Sequence, residues 1–101
     1  MPNVYVVSKS AHDFSGAQKY GKLIFLSEEA LNRYHVNNME RQFSSKLENS
    51  SPEDFILPCG LSMMNSIACA MFALKHKRLN LLLFRKGKYV ERNLVFSNDE
   101  K

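Results

Sequence analysis

Apolar residues along this chain fall into short separate runs, and the spacing within each run predicts its element. Val4-Tyr5-Val6-Val7, bounded by Pro2 and by Ser8-Lys9-Ser10, reads as a strand. Lys22-Leu23-Ile24-Phe25-Leu26 is a second strand, and its contiguous apolar residues predict burial on both faces. Between them, Asp13 is placed to cap a short helical turn over residues 14–20, which Gly21 ends. Ser27-Glu28-Glu29 resembles a helix start, with acids where the helix dipole favours them. Met39, Phe43 and Leu47 then repeat at four-residue spacing among polar neighbours, the pattern of an amphipathic helix. Asn37 and Glu40 resemble a capping box at its start, and Asn49-Ser50-Ser51-Pro52 stops it.

Residues 54–84 give the firmest signal. Phe55-Ile56-Leu57 reads as a third strand, closed by Pro58-Cys59-Gly60. Ser62 is positioned to cap a helix over residues 63–76 that is apolar on nearly every face. Lys75, His76 and Lys77 sit where the negative end of its dipole favours cations. Residues 79–84 read as a strand, apolar except at Asn80. Strand, helix, strand predicts a right-handed βαβ crossover between parallel strands. Arg85-Lys86-Gly87-Lys88 is a tight turn, and residues 89–96 return as an antiparallel edge strand. Val90, Arg92, Leu94 and Phe96 share one face of it; Tyr89, Glu91, Asn93 and Val95 share the other. The expected fold class is α/β, with α+β as the alternative: a mixed sheet of about five strands with two main helices.

Length and composition set limits on this picture. With 101 residues, 45% of them apolar, the chain is expected to form one domain over 1–101, with residues 97–101 as a frayed tail. The most hydrophobic stretch, 61–74, falls short of the roughly 20 residues a bilayer span needs. The start, Met1-Pro2-Asn3-Val4-Tyr5, has no basic segment followed by an apolar run, so no secretory signal and a cytoplasmic location are expected. Cys59 and Cys69 lie in apolar sequence, form no C-x-x-C, and are expected as reduced thiols rather than a zinc or redox site.

The formal charge is +4, and it is polarised. Residues 1–54 hold six Lys/Arg and seven Asp/Glu, whereas residues 55–101 hold eight and three. Lys75, Lys77, Arg78, Arg85, Lys86, Lys88 and Arg92 are opposed only by Glu91 between positions 75 and 92. This basic segment is a candidate patch for nucleic acid or an acidic partner, although its two clusters are expected at opposite ends of one strand. The turn through Gly60 to Ser62, with Asn65, is a candidate anion or ligand site, because a helix start after a strand leaves backbone N–H groups unpaired. It carries neither G-x-G-x-x-G nor G-K-[ST]. His12-Asp13 could supply a base or a ligand, but no nucleophile or metal partner is placed by spacing. Met63, Met64, Ile67 and Met71 supply adaptable apolar surface on a helix that one sheet face would not cover, which points to a second subunit.

The stretch Ser8-Lys9-Ser10-Ala11-His12-Asp13-Phe14-Ser15-Gly16-Ala17, on through Tyr20-Gly21, and the stretch Gly60-Leu61-Ser62-Met63-Met64-Asn65-Ser66-Ile67-Ala68 resemble small bacteriophage-encoded proteins to which no function is attached. The resemblance implies an accessory protein that binds a host component. The expectation is a non-enzymatic, self-associating binding protein, without cofactor, metal or membrane attachment, whose partner is a protein or an anionic ligand. A nucleic-acid binder using residues 75–92 is one alternative. A nucleotide or anion sponge, or a small enzyme, at Gly60–Asn65 is the other.

Overall fold

The computed structural model describes residues 2–9, 13–27 and 35–96. The chain runs β1 (Asn3–Val6), a 3-10 helix (Ser15–Tyr20), β2 (Lys22–Phe25), α1 (Val36–Leu47), β3 (Phe55–Leu57), α2 (Ser62–His76), β4 (Arg78–Arg85) and β5 (Lys88–Val95). The strands form one mixed sheet in the order β2-β1-β3-β4-β5. The first four are parallel, and β5 returns antiparallel to β4. Tyr5 lies between Ile24 and Ile56 in the ladder. The expected βαβ unit and C-terminal hairpin are therefore both present.

Each sheet face is sealed by its own connection. Tyr5, Ile56 and Leu79 pack with Met39, Phe43 and Leu47 of α1 and with Met64, Ala68 and Phe72 of α2. Val4, Val6, Phe55, Leu57 and Leu82 pack instead with Phe14 and Ala17 of the 3-10 segment. This two-sided cover explains why β1 and β3 are contiguous apolar runs. It also covers α2 more fully than its composition predicts. Met64, Ala68 and Phe72 are its buried stripe, Ile67 and Met71 join the same cluster, and α1 packs beside it.

A polar network ties the amino ends of the central strands together. Asp54, only 2% exposed, accepts hydrogen bonds from the Asn3 N–H (2.9 Å), the Ser51 N–H (2.9 Å) and the Ser51 hydroxyl (3.3 Å). The buried Asn80 amide donates to the Pro52 carbonyl (2.7 Å) and the Asp54 carbonyl (2.8 Å). Each buried polar group is thereby satisfied, which offsets its desolvation.

Several local expectations need correction. α1 begins at Val36 after His35, with no side-chain cap, so Asn37 and Glu40 lie inside the helix rather than forming a capping box. Ser62 is the first residue of α2 and not its cap; Leu61 holds that position. Gly21 does follow the 3-10 helix, but its backbone is extended and adopts no left-handed cap. Glycine is needed there because a Cβ would lie 2.1 Å from the Pro2 carbonyl oxygen. That carbonyl pairs with the Lys22 N–H, so the close approach is part of the β1–β2 ladder. Asp13 is not the cap residue of the 3-10 helix, a position Phe14 holds, although its carboxylate does accept the Ser15 N–H at 2.9 Å. Glu28, Glu29, His12 and the tail at 97–101 lie outside the described residues.

Lys75 and His76 have structural duties that their sequence neighbourhood conceals. The Lys75 ammonium donates to the Leu47 (2.8 Å) and Glu48 (2.7 Å) carbonyls, satisfying the open C-terminus of α1. His76 Nε2 lies 2.8 Å from the Ser50 hydroxyl, which itself donates to the Leu47 carbonyl. Burial, followed by the nearby Lys75 charge, lowers the His76 pKa from 6.5. The folded state therefore resists protonating this ring. The stabilisation is present above about pH 6.5 and is lost as pH falls through the lowered folded pKa. Thermal melts at about pH 5 and about pH 8 are expected to show a smaller pH difference in His76→Gln than in the parent chain.

Candidate functional site

The chain goes from β1 to β2 on one side, then crosses back to β3 on the other side of β1. The carboxyl ends of β1 and β3 therefore form a switch point, where open α/β sheets tend to place ligands. Two segments meet there. The Cys59 thiol donates to the Ser8 carbonyl (3.1 Å) and receives the Ser8 N–H (3.4 Å). Gly60 has φ +84°, and a Cβ on it would lie 2.9 Å from the Ser8 Cβ. Gly60→Ala combines left-handed strain with this contact, and is expected to lower stability by about 1–3 kcal/mol in denaturant unfolding.

The structure distributes the sequence candidates unevenly around this point. Asn65 points its side chain back into the turn, its Oδ1 accepting the Cys59 N–H at 2.9 Å. Ser62 and Gly60 are exposed beside it. Of the apolar candidates on α2, Met64 is 3% exposed and belongs to the chain's own core, Ile67 and Met71 are half-buried, and Met63 is exposed. Cys59 and Cys69 are free thiols, and burial pushes both pKa values up.

The basic residues separate into two groups. Lys75 is committed to α1, and Arg78 donates to the Asn80 side chain (3.2 Å) near the amino end of β4. Arg85, Lys86 and Lys88 are exposed at the hairpin tip, where Lys86 (φ +52°) and Gly87 (φ +80°) make the two-residue turn. Arg92 lies between, donating to the Glu91 carbonyl at 2.8 Å.

A groove that the sequence reading missed opens on the face covered by the 3-10 helix. Its inner hollow, about 200 Å³, is lined by Asp13, Phe14, Leu57, Pro58, Cys59, Phe84 and Tyr89. Its outer hollow, about 340 Å³, shares Asp13, Phe84 and Tyr89 and adds Lys19 and Lys88. Phe84 and Tyr89 are cross-strand partners, with ring centroids 5.1 Å apart in an edge arrangement. The Tyr89 ring lies over Gly16, where a Cβ would meet it at 3.4 Å. Its hydroxyl pKa is raised by burial and by the neighbouring Cys59 and Asp13. Asp13 is held ionised by the Ser15 N–H. The one local signal was Phe84, a large apolar residue directly before a charged turn.

The second notable surface is the edge of the sheet. β5 is 8 residues long, and its partner ladder fixes which backbone groups face outward. The Phe96 N–H donates to the Lys77 carbonyl at 2.9 Å. By alternation, Leu94 also bonds inward to β4, and the groups of Tyr89, Glu91, Asn93 and Val95 face away from it. The Tyr89 carbonyl accepts the Tyr20 hydroxyl (3.2 Å) and the Glu91 carbonyl accepts Arg92. Among the described residues nothing pairs with the outward groups of Asn93 and Val95, which are flanked by the exposed side chains of Leu94, Val95 and Phe96.

No helix among the described residues is long and apolar enough to cross a membrane. Comparison with curated proteins and with solved structures gave no match. The family model described as Phage Pam3 gp32-like protein matches residues 2–96, the whole of the sheet and its connections. The phage resemblance carried by the segments around Ser8 and Gly60 thus extends to nearly the full chain, and the protein belongs to the Phage Pam3 gp32-like family.

Proposed function

We propose that this protein is a small non-enzymatic interaction protein of a phage, self-associating through the free half of its β5 edge and acting on a host component. The observation that carries the reading is the outward backbone of Asn93 and Val95, with Leu94, Val95 and Phe96 exposed around it. An exposed apolar edge strand is a template for another strand.

The chemistry of β5 favours a second copy as that strand. A two-fold axis at Glu91 or Arg92 would set like charges opposite each other, which is destabilising. An axis at Leu94 sets Leu94 against Leu94, Asn93 against Val95, and Arg92 against the Phe96 ring. In that register, Asn93 and Val95 exchange hydrogen bonds using their outward backbone groups, which no described residue pairs. Membership of a phage family supports an accessory role towards a host component. Sedimentation or light scattering at micromolar concentration is expected to give twice the 11.6 kDa chain mass. A mass of one chain throughout would refute self-association.

A further inference from the structure

The groove between the 3-10 helix and the hairpin tip carries its own inference, independent of β5 pairing. Phe84 is 65% exposed although it stands beside a formed core. It is paired with Tyr89 at the wall of a hollow that Phe14, another aromatic ring, also lines. Among the described residues, the Asp13 carboxylate is the one charged group that lines this inner hollow. The outer hollow has Lys19 and Lys88. The exposed Arg85 and Lys86 lie next to it in the hairpin tip. The groove is thus graded, from aromatic walls with one acceptor to a cationic mouth.

Three ligand chemistries meet these walls differently. An organic cation would use the rings and Asp13 but would face the field of the lysines. A bare anion would use the lysines and leave the aromatic part idle. A planar ring with N–H donors, joined to an anionic group, uses every part. We propose that the groove binds a nucleoside monophosphate, its base between the aromatic side chains with an N–H donated to Asp13, and its phosphate at Lys19 and Lys88. The position is the switch-point end of the sheet, and the outer hollow, about 340 Å³, falls in the range of small-molecule sites, roughly 300–1,000 Å³, with the inner hollow of about 200 Å³ beside it.

The test is isothermal titration of the full chain with each of the four common ribonucleoside monophosphates, and with inorganic phosphate, the free nucleosides and choline. At least one monophosphate is expected to bind, with its nucleoside and inorganic phosphate each about tenfold weaker or more. Phe84→Ala removes an exposed side chain, leaves the core intact, and is expected to weaken that binding about tenfold, the usual loss of a base–aromatic stack. Lys19→Glu is expected to weaken the monophosphate but leave the nucleoside unchanged. No binding of any monophosphate at millimolar concentration would overturn the proposal. So would choline binding more tightly than the monophosphates, or equal binding by the parent chain and Phe84→Ala. None of these results depends on oligomeric state.

Discussion

Phe43→Ala is expected to cost about 3–5 kcal/mol of folding stability, read as a shift in the denaturant midpoint at unchanged slope. Phe43 is fully buried and lies in the middle of the only apolar stripe of α1. Met39 and Leu47 sit one turn to either side, so the stripe has no spare residue that could swing in and fill the void. The loss combines the transfer energy of the ring with a cavity between α1, α2 and the sheet. Domains of this kind are stable by only about 5–15 kcal/mol, so the variant gives up a large share of the total. The effect extends beyond α1. Lys75 and His76 anchor to the end of this helix, so loosening α1 also releases the last turn of α2.

Leu94→Lys is expected to abolish association while leaving the fold intact. Leu94 is 50% exposed in the single chain, and a lysine there retains an apolar stem over Leu79, its partner in the β4–β5 ladder. In the paired edges, however, Leu94 meets itself across the axis. One substitution thus sets two lysines directly opposite each other beside Arg92, with Cβ atoms about 4.5–5.5 Å apart. Lysine on an exposed strand edge is also the means by which natural sheets prevent pairing. The dissociation constant is expected to rise at least about 100-fold, with an unchanged melting temperature for the monomer. Sedimentation across a concentration series measures both species. A variant that stays dimeric at the parent's concentrations would contradict the proposed interface.

Most of the elements were legible in the sequence because each has a one-dimensional signature. The Met39-Phe43-Leu47 stripe marks a single buried face. The contiguous run at 22–26 predicts burial on both faces, but β2 is an edge strand whose Leu23, Ile24 and Phe25 are only half-buried. The turn at Lys86-Gly87 announces the hairpin. Strand order was not legible, because it depends on which face each crossover takes, and both faces here carry an apolar cluster. Helix caps misled for a local reason. Asn37 and Ser62 are good capping residues, yet the helices start at Val36 and Ser62, where the burial of Met39 and Met64 sets the phase. Lys75 looked like part of a basic patch because its partners, two carbonyls of α1, are almost thirty residues away in sequence. The groove had the same problem: Phe14, Cys59, Phe84 and Tyr89 share no motif, and only the sheet brings them together. The edge was partly legible. Its alternation was readable from residues 89–96, whereas the direction of its open hydrogen bonds required the ladder.

The central claim, that two β5 edges pair about Leu94, is tested most directly by cysteine trapping. Opposed residues in an antiparallel pair lie within the Cα separation a disulfide requires, roughly 4.4–6.8 Å. Residues several positions from the axis do not meet their own copies. Under mild oxidation, Leu94→Cys is predicted to give a covalent dimer rapidly, with Val90→Cys remaining a single chain on denaturing gels. Equal trapping of both, or none at Leu94→Cys, would contradict the pairing.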